Sequence, residues 1–100
     1  MDMKERYRLI ISTILNAIGC QVEVEHMLST GRIDIVATTS RFIYVMELKL
    51  SNNGGINAAE KQIIDNGYLK PFLADDRKVI GLAVELDDMG KGLIDWKEVK

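Results

Sequence analysis

The chain has 100 residues, a net charge of −2, 47% hydrophobic and 28% charged residues. This is the composition of one small globular domain and not of a disordered segment. The one cysteine, Cys20, excludes an internal disulfide, and no apolar run approaches the length of about 18 residues that a membrane span needs. We therefore expect a cytoplasmic protein with no secretory leader and no membrane partner. The acidic balance argues against a domain that captures nucleic acid mainly by neutralising phosphates.

The first half of the chain predicts one helix and three strands. Apolar residues at helical spacing, followed by Gly19, predict a helix over residues 2–18. Alternating or continuously apolar segments then predict strands over 21–28, 33–39 and 41–50. The apolar stripe of the helix consists of Met3, Tyr7, Ile10, Ile11, Ile14, Leu15 and Ile18.

The second half predicts a crossover. A loop at 51–55 leads to a helix over 56–70, which Pro71 ends, and strands follow over 78–86 and 93–99. Three consecutive strands joined by short turns form an antiparallel meander, and the crossover helix lets the fourth strand lie parallel to one of them. The fold class is therefore α/β, with a mixed sheet flanked by helices.

Charged residues stand at unexpected places on two of these strands. The segment "RFIYVMELKL" (41–50) is apolar on both faces, which is typical of a strand covered on both sides, yet Glu47 and Lys49 end one face. On the preceding strand, alternation places Asp34 on one face with Val36, and Ile33 on the other with Ile35 and Ala37. A turn near residue 40 would bring positions 34 and 47 into rough register.

Two carboxylates that meet on a half-buried sheet repel one another and lose hydration. A hard divalent cation such as Mg²⁺ offsets both costs, because it prefers oxygen ligands. A nearby lysine can orient water or stabilise charge on a phosphate. Asp34, Glu47 and Lys49 together thus indicate phosphodiester cleavage. On spacing alone, a chance ion pair beside a surface aspartate stays open as the alternative.

Longer stretches of the sequence carry a family resemblance. The segment "EHMLSTGRIDIVATTSRFIYVMELKL" (25–50), with "AAEKQIIDNGYLKPF" (58–72) and "KVIGLAVEL" (78–86) after it, resembles the PD-(D/E)XK nuclease superfamily. More narrowly, it resembles the nuclease-like domain at the C-terminus of bacterial AAA-ATPase-like proteins. The resemblance implies a restriction-endonuclease-like αβββαβ core. It also implies that residues 1–100 are a single domain, a C-terminal piece of a longer protein whose N-terminal ATPase domain is a partner.

The same resemblance implies roles for individual residues. Asp34 and Glu47 match the metal-binding carboxylates, and the cofactor they imply is Mg²⁺, with Mn²⁺ as an alternative. Lys49 matches the catalytic lysine. Gln62 matches a glutamine that some members place beside the site, although it also reads as a polar residue flanking a buried helical stripe.

Two further glutamates are candidates for the site. Glu25 stands where relatives carry a glutamate before "GR", and it either pairs with Arg32 or completes the site. Members of the superfamily often add a glutamate from the first helix, and Glu5 is the candidate by position. The helical wheel puts Glu5 nearly opposite the apolar stripe, which predicts a solvated charge.

The leading functional hypothesis is a metal-dependent nuclease domain that acts on DNA in preference to RNA. At a net charge of −2, the isolated domain is expected to bind nucleic acid weakly. The alternative is a nuclease-like module without turnover, which serves interaction or regulation beside an ATPase.

Overall fold

The computed structural model describes all residues from Met1 to Lys100. The two helices are α1 (Met3–Ala17) and α2 (Gly55–Asp65). The strands are β1 (Gln21–Leu28), β2 (Gly31–Thr38), β3 (Phe42–Leu50), β4 (Lys78–Leu86) and β5 (Leu93–Val99). No helix is long and apolar enough to cross a membrane.

The strands form one mixed sheet in the order β1-β2-β3-β4-β5. Strands β3 and β4 run parallel and pair along their whole length, and every other neighbouring pair is antiparallel. Helix α2 makes the crossover between the parallel strands. This confirms the predicted α/β fold with a mixed sheet, and it is compatible with a restriction-endonuclease-like fold.

Each face of the sheet carries its own core. The cluster on the α2 side contains Ile33, Val36, Ile43, Val45, Ala59, Ile63, Tyr68, Ala83 and Val99. The cluster on the α1 side contains Tyr7, Ile35, Ala37, Leu48, Val84 and Leu86. Strand β3 contributes buried residues to both clusters, so the prediction that it is covered on both sides is confirmed.

Helix α1 buries only part of its apolar stripe. Met3, Tyr7, Ile11 and Leu15 pack on the sheet, but three other members of the stripe are exposed: Ile10, Ile14 and Ile18. The reason is the position of the helix, which packs mainly against β1, β2 and β3 and therefore covers β4 and β5 incompletely on this side. An apolar groove of about 500 Å³ lies there, lined by residues that include Ile10, Leu82 and Trp96.

Helix α2 ends at Asp65, five residues before the predicted end at residue 70. Gly67 has a φ of 61°, and the Gly67 and Tyr68 amides donate back to the carbonyls of Ile64 (3.2 Å) and Ile63 (3.0 Å). A glycine in the left-handed region closes a helix in this way, because the turning chain satisfies the last carbonyl groups. Gly67 therefore terminates the helix, and Pro71 lies beyond it in a single turn of 3-10 helix.

Candidate active site

The β2–β3 hairpin opens where the two predicted carboxylates lie. Regular pairing of these strands ends at Ile35 and Met46, and Asp34 and Glu47 are the next residues on each side. Beyond this point the Asp34 side chain accepts a hydrogen bond from the Leu48 amide, at 2.8 Å from Oδ2. A carboxylate thus bonds to the β3 backbone where the strand ladder stops, and the predicted register of positions 34 and 47 is confirmed.

The predicted alternation along β2 is wrong at Ile33. Ile33 packs with Val36 on the α2 side, whereas Ile35 packs on the α1 side. The regular pairing of β1 with β2 omits Glu25 and Asp34, and Glu25 has a φ of 54°. Such a conformation is uncommon outside glycine, so nothing in the sequence predicts the irregularity. Both edges of β2 are therefore released from regular pairing at Asp34.

The two carboxylates are buried but unequally satisfied. Asp34 is 5% exposed and Glu47 is 1% exposed. Neither carboxylate oxygen of Glu47 accepts a hydrogen bond from an N–H or O–H group, although the protonated form of Glu47 can share its proton with Asp34. Burial raises the pKa of Glu47 to about 8, the adjacent Asp34 carboxylate adds to the rise, and the charges of Lys4 and Lys49 oppose it. The positive charges near Glu47 are therefore too weak to offset its burial, and its carboxylate form is disfavoured.

Helix α1 supplies a lysine to this site that the sequence analysis missed. The Lys4 ammonium lies 3.1 Å from Asp34 Oδ2 and 3.9 Å from Glu47 Oε2, so it contacts both carboxylates. The sequence indicates only Glu5 as a candidate from this helix, and the helical wheel predicts that it is a solvated charge. A signal was present, because Lys4 precedes Tyr7 by three residues and therefore shares its buried face.

The Lys49 ammonium is not engaged by another charged side chain, as a catalytic lysine requires. Its side chain is half-buried and makes no ion pair, although its partner in the β3–β4 register is Glu85. Glu85 is engaged elsewhere, since it accepts hydrogen bonds from the Ser51 hydroxyl (2.6 Å) and from the Ile56 amide (2.8 Å) at the start of α2. These donors lower the pKa of Glu85. The Lys49 ammonium is therefore left beside Glu47, where its charge lowers the pKa of that acid.

Gln62 contacts a buried tyrosine. Its Nε2 donates to the Tyr68 hydroxyl at 3.1 Å. The same hydroxyl accepts from the Arg32 amide (3.1 Å) and donates to the Arg32 carbonyl (3.2 Å), which joins the end of α2 to β2. Gly31 makes room for this contact, because a Cβ there would lie 2.5 Å from the hydroxyl. A catalytic role for Gln62 stays a prediction.

The two other candidate glutamates lie apart from the carboxylate pair. Glu25 forms ion pairs with Arg8 (2.7 Å) and Arg32 (3.8 Å), in agreement with the first of its two predicted roles. Glu5 forms no ion pair and lines a small surface depression with Arg8, but it is half-buried, so it is only partly the solvated charge that the helical wheel predicted. No group of three histidine, cysteine, aspartate or glutamate side chains is placed to hold a metal ion.

The residues present nevertheless fit a hard divalent ion. Mg²⁺ usually retains several waters and uses one or two protein carboxylates, so Asp34 and Glu47 suffice as protein ligands. The orphaned oxygens of Glu47 are the strongest indication, because a buried carboxylate without donors is costly unless a cation compensates it.

The comparison with protein families agrees with this geometry. The model of the PD-(D/E)XK nuclease superfamily matches residues 4–96. The chain therefore belongs to the PD-(D/E)XK nuclease superfamily, a family of nucleases that typically use divalent metal ions. The match spans both carboxylates as well as Lys4 and Lys49. No curated protein matches the chain.

Proposed function

We propose that this domain is a nuclease that hydrolyses the phosphodiester bonds of DNA, with Mg²⁺ as its cofactor and Mn²⁺ as a substitute. One observation carries the proposal. Glu47 is buried beside Asp34, and neither of its carboxylate oxygens accepts a hydrogen bond from an N–H or O–H group of the protein. Burying a carboxylate without hydrogen-bond donors destabilises the fold. A metal ligand explains such a carboxylate, because the bound cation offsets the destabilisation, whereas a structural role does not explain it.

Each residue of the site has a distinct role in this proposal. Asp34 and Glu47 hold the ion, which when bound supplies Lewis-acid activation of water and of the phosphate. The Leu48 amide fixes the orientation of the Asp34 carboxylate. Lys49, which has no ion pair of its own, orients the attacking water and stabilises the charge that develops on the phosphate oxygens.

The surface charge limits how well the isolated domain captures its substrate. Its net charge is −2, so phosphates are not attracted over long distances. DNA is proposed over RNA because of the family resemblance, and the contacts within the site favour neither. We further propose that an ATPase domain of a longer protein supplies the missing nucleic-acid affinity.

The test is a cleavage assay at low salt with plasmid DNA, single-stranded DNA and RNA, each with Mg²⁺ or Mn²⁺. We expect metal-dependent cleavage of DNA, because the residues of the site are in place. We expect the cleavage to be weak, because the domain binds DNA weakly. Lys49→Met should reduce the rate by at least about 100-fold, the scale of a lost positioned charge or proton-transfer group, and should leave the melting temperature unchanged.

Two results would contradict this proposal. Cleavage that persists in both Lys49→Met and Glu47→Gln would come from another site or from a contaminant. Cleavage of RNA with no cleavage of DNA would overturn the choice of substrate and leave the metal-dependent hydrolysis in place.

A second function is favoured by a specific observation. Lys4 contacts both carboxylates, and no third acidic ligand joins them. These features suit a nuclease-like module without turnover that serves interaction or regulation beside an ATPase. An absence of cleavage at low salt with Mn²⁺, in a protein that binds the metal, would favour this module over the enzyme.

A further inference from the structure

Lys4 reaches the carboxylate pair from an unfavourable position in its own helix. It lies in the first turn of α1, where the helix dipole is positive and a cation is disfavoured. Its ammonium nevertheless lies 3.1 Å from Asp34 and 3.9 Å from Glu47. The attraction of the buried acidic pair, chiefly of Asp34 at the shorter distance, outweighs the helix dipole, and the lysine lies where a shared cation would lie.

The lysine contributes a positive charge to this site but forms no hydrogen bond with Glu47. A separation of 3.9 Å from Glu47 Oε2 is an ion pair but is too long for a hydrogen bond. Both oxygens of Glu47 therefore remain without a donor. One positive charge faces two carboxyl groups, so a divalent ion would compensate the pair more completely when both are ionised.

The two sides of this contact differ in how firmly the structure holds them. Asp34 is held by the Leu48 amide, and Glu47 is almost fully buried in the sheet. The Lys4 side chain is 28% exposed and has a long flexible stem that can carry its ammonium to solvent. Exchange of the cation therefore requires movement of the lysine, not of the carboxylates.

We propose that Lys4 is the resident cation of this site and competes directly with the divalent metal ion. The inference rests on the proposed function for its metal ion, but it does not require turnover. Because the ammonium is tethered to the protein, its effective concentration is high, and it lowers the apparent affinity for metal. Lys4 is thus a residue that sets the metal concentration at which the site becomes occupied.

The experiment is a calorimetric titration of Mn²⁺ into the wild type, Lys4→Met and Arg6→Met. Arg6 is a matched control, because it lies in the same turn of α1, is exposed and forms no ion pair. We expect Lys4→Met to bind Mn²⁺ at least about fivefold more tightly, the lower end of typical coupling between sites. Arg6→Met should stay within about twofold of the wild type, because exposed charges at a distance are screened.

A second measurement uses the unaltered protein and guards against a variant that fails to fold. In an NMR titration with Mg²⁺, the side-chain signals of Lys4 should move toward those of a solvated lysine. Equal Mn²⁺ affinity in Lys4→Met and Arg6→Met, weaker binding by Lys4→Met, or unchanged Lys4 signals at saturating Mg²⁺ would each overturn the inference.

The outcomes also separate this inference from the proposed function. If Lys4→Met binds Mn²⁺ more tightly and the protein cleaves no nucleic acid, the inference is supported and the proposed nuclease activity is contradicted. Cleavage with equal affinities supports the enzyme and removes the inference. An absence of Mn²⁺ binding in all three proteins removes both.

Discussion

Two glutamates on neighbouring strands of this sheet have opposite environments. Glu47 on β3 is paired in register with Ala83, and Glu85 on β4 lies two residues further along. Glu85 receives a hydroxyl and a backbone amide, which lower its pKa. Glu47 receives no hydrogen bond from a backbone amide or a hydroxyl, and burial raises its pKa to about 8. The difference lies in the hydrogen-bond donors around each acid. Glu85 has two donors and stabilises the structure, whereas Glu47 has none and is suited to bind a cation.

The two carboxylates have different roles in the structure. Glu85 fixes the start of α2, where Gly55 leaves room for it because a Cβ would lie 2.4 Å from Oε1. Glu47 forms no hydrogen bond that holds another segment in place. The cost of burying its charge is offset when it is protonated or when an ion binds.

The largest expected difference between the two acids is in metal-induced stabilisation. At a Mn²⁺ concentration of about 100 times Kd, the wild type should gain about 2.7 kcal/mol in free energy of unfolding. Glu85→Gln should keep this gain but melt at a lower temperature without metal, because the cap of α2 is weakened. Glu47→Gln should lose most of the gain, as measured by thermal unfolding with and without Mn²⁺.

A metal-induced rise in melting temperature of equal size in Glu47→Gln and Glu85→Gln would refute the assignment of Glu47 as a ligand. The ion would then bind elsewhere on the surface. Buffers free of divalent metal ions are needed for the metal-free measurements on both variants.

A smaller difference should appear in the pH dependence of stability without metal. The pKa of Glu47 in the folded state, about 8, exceeds the unfolded value of 4.5. Between these values the folded state binds more protons, so the free energy of unfolding of the wild type should fall as pH rises from 5 to 8, by roughly 2–4 kcal/mol. Glu47→Gln should remove this slope.

Glu85→Gln is the control for the same denaturation curves. The lowered pKa of Glu85 means that its stabilisation is complete above the unfolded pKa and is lost only as pH falls through the folded pKa. It therefore contributes no slope between pH 5 and 8, and Glu85→Gln should keep the slope of the wild type. A flat curve for the wild type would show that Glu47 ionises normally.

The smallest expected effect concerns Gln62. Because its amide donates to the Tyr68 hydroxyl, Gln62→Leu should reduce the free energy of unfolding by about 1 kcal/mol, the usual value of one such hydrogen bond. The Mn²⁺-induced stabilisation should be unchanged. A cleavage rate that collapses while stability is preserved would instead establish Gln62 as a residue of the active site.

The sequence predicted the fold and the position of the carboxylate pair well. Hydrophobic periodicity located both helices and all five strands, and the hairpin register placed Asp34 opposite Glu47. These features depend on local pattern and on chain connectivity, which a sequence displays directly.

What the sequence could not distinguish depends on contacts between distant segments. "VMEL" (45–48) and "AVEL" (83–86) are nearly the same local pattern, yet their glutamates differ because Ser51 and Ile56 reach only the second. The irregularity at Glu25 likewise follows from tertiary packing. The role of Lys4 also depends on the docking of α1, which brings its ammonium to Asp34 and Glu47 from 30 or more residues away in the sequence.

The hydrogen bond from the Leu48 amide to Asp34 also affects how this domain can change in evolution. Without an acceptor at position 34, a buried amide of β3 would be left unpaired, so the carboxylate has a structural duty besides its chemical one. Glu47 and Lys49 have no such duty. In a lineage that abandoned the chemistry, substitutions should therefore accumulate at Glu47 and Lys49 first, while Asp34 persists as a remnant of the lost site.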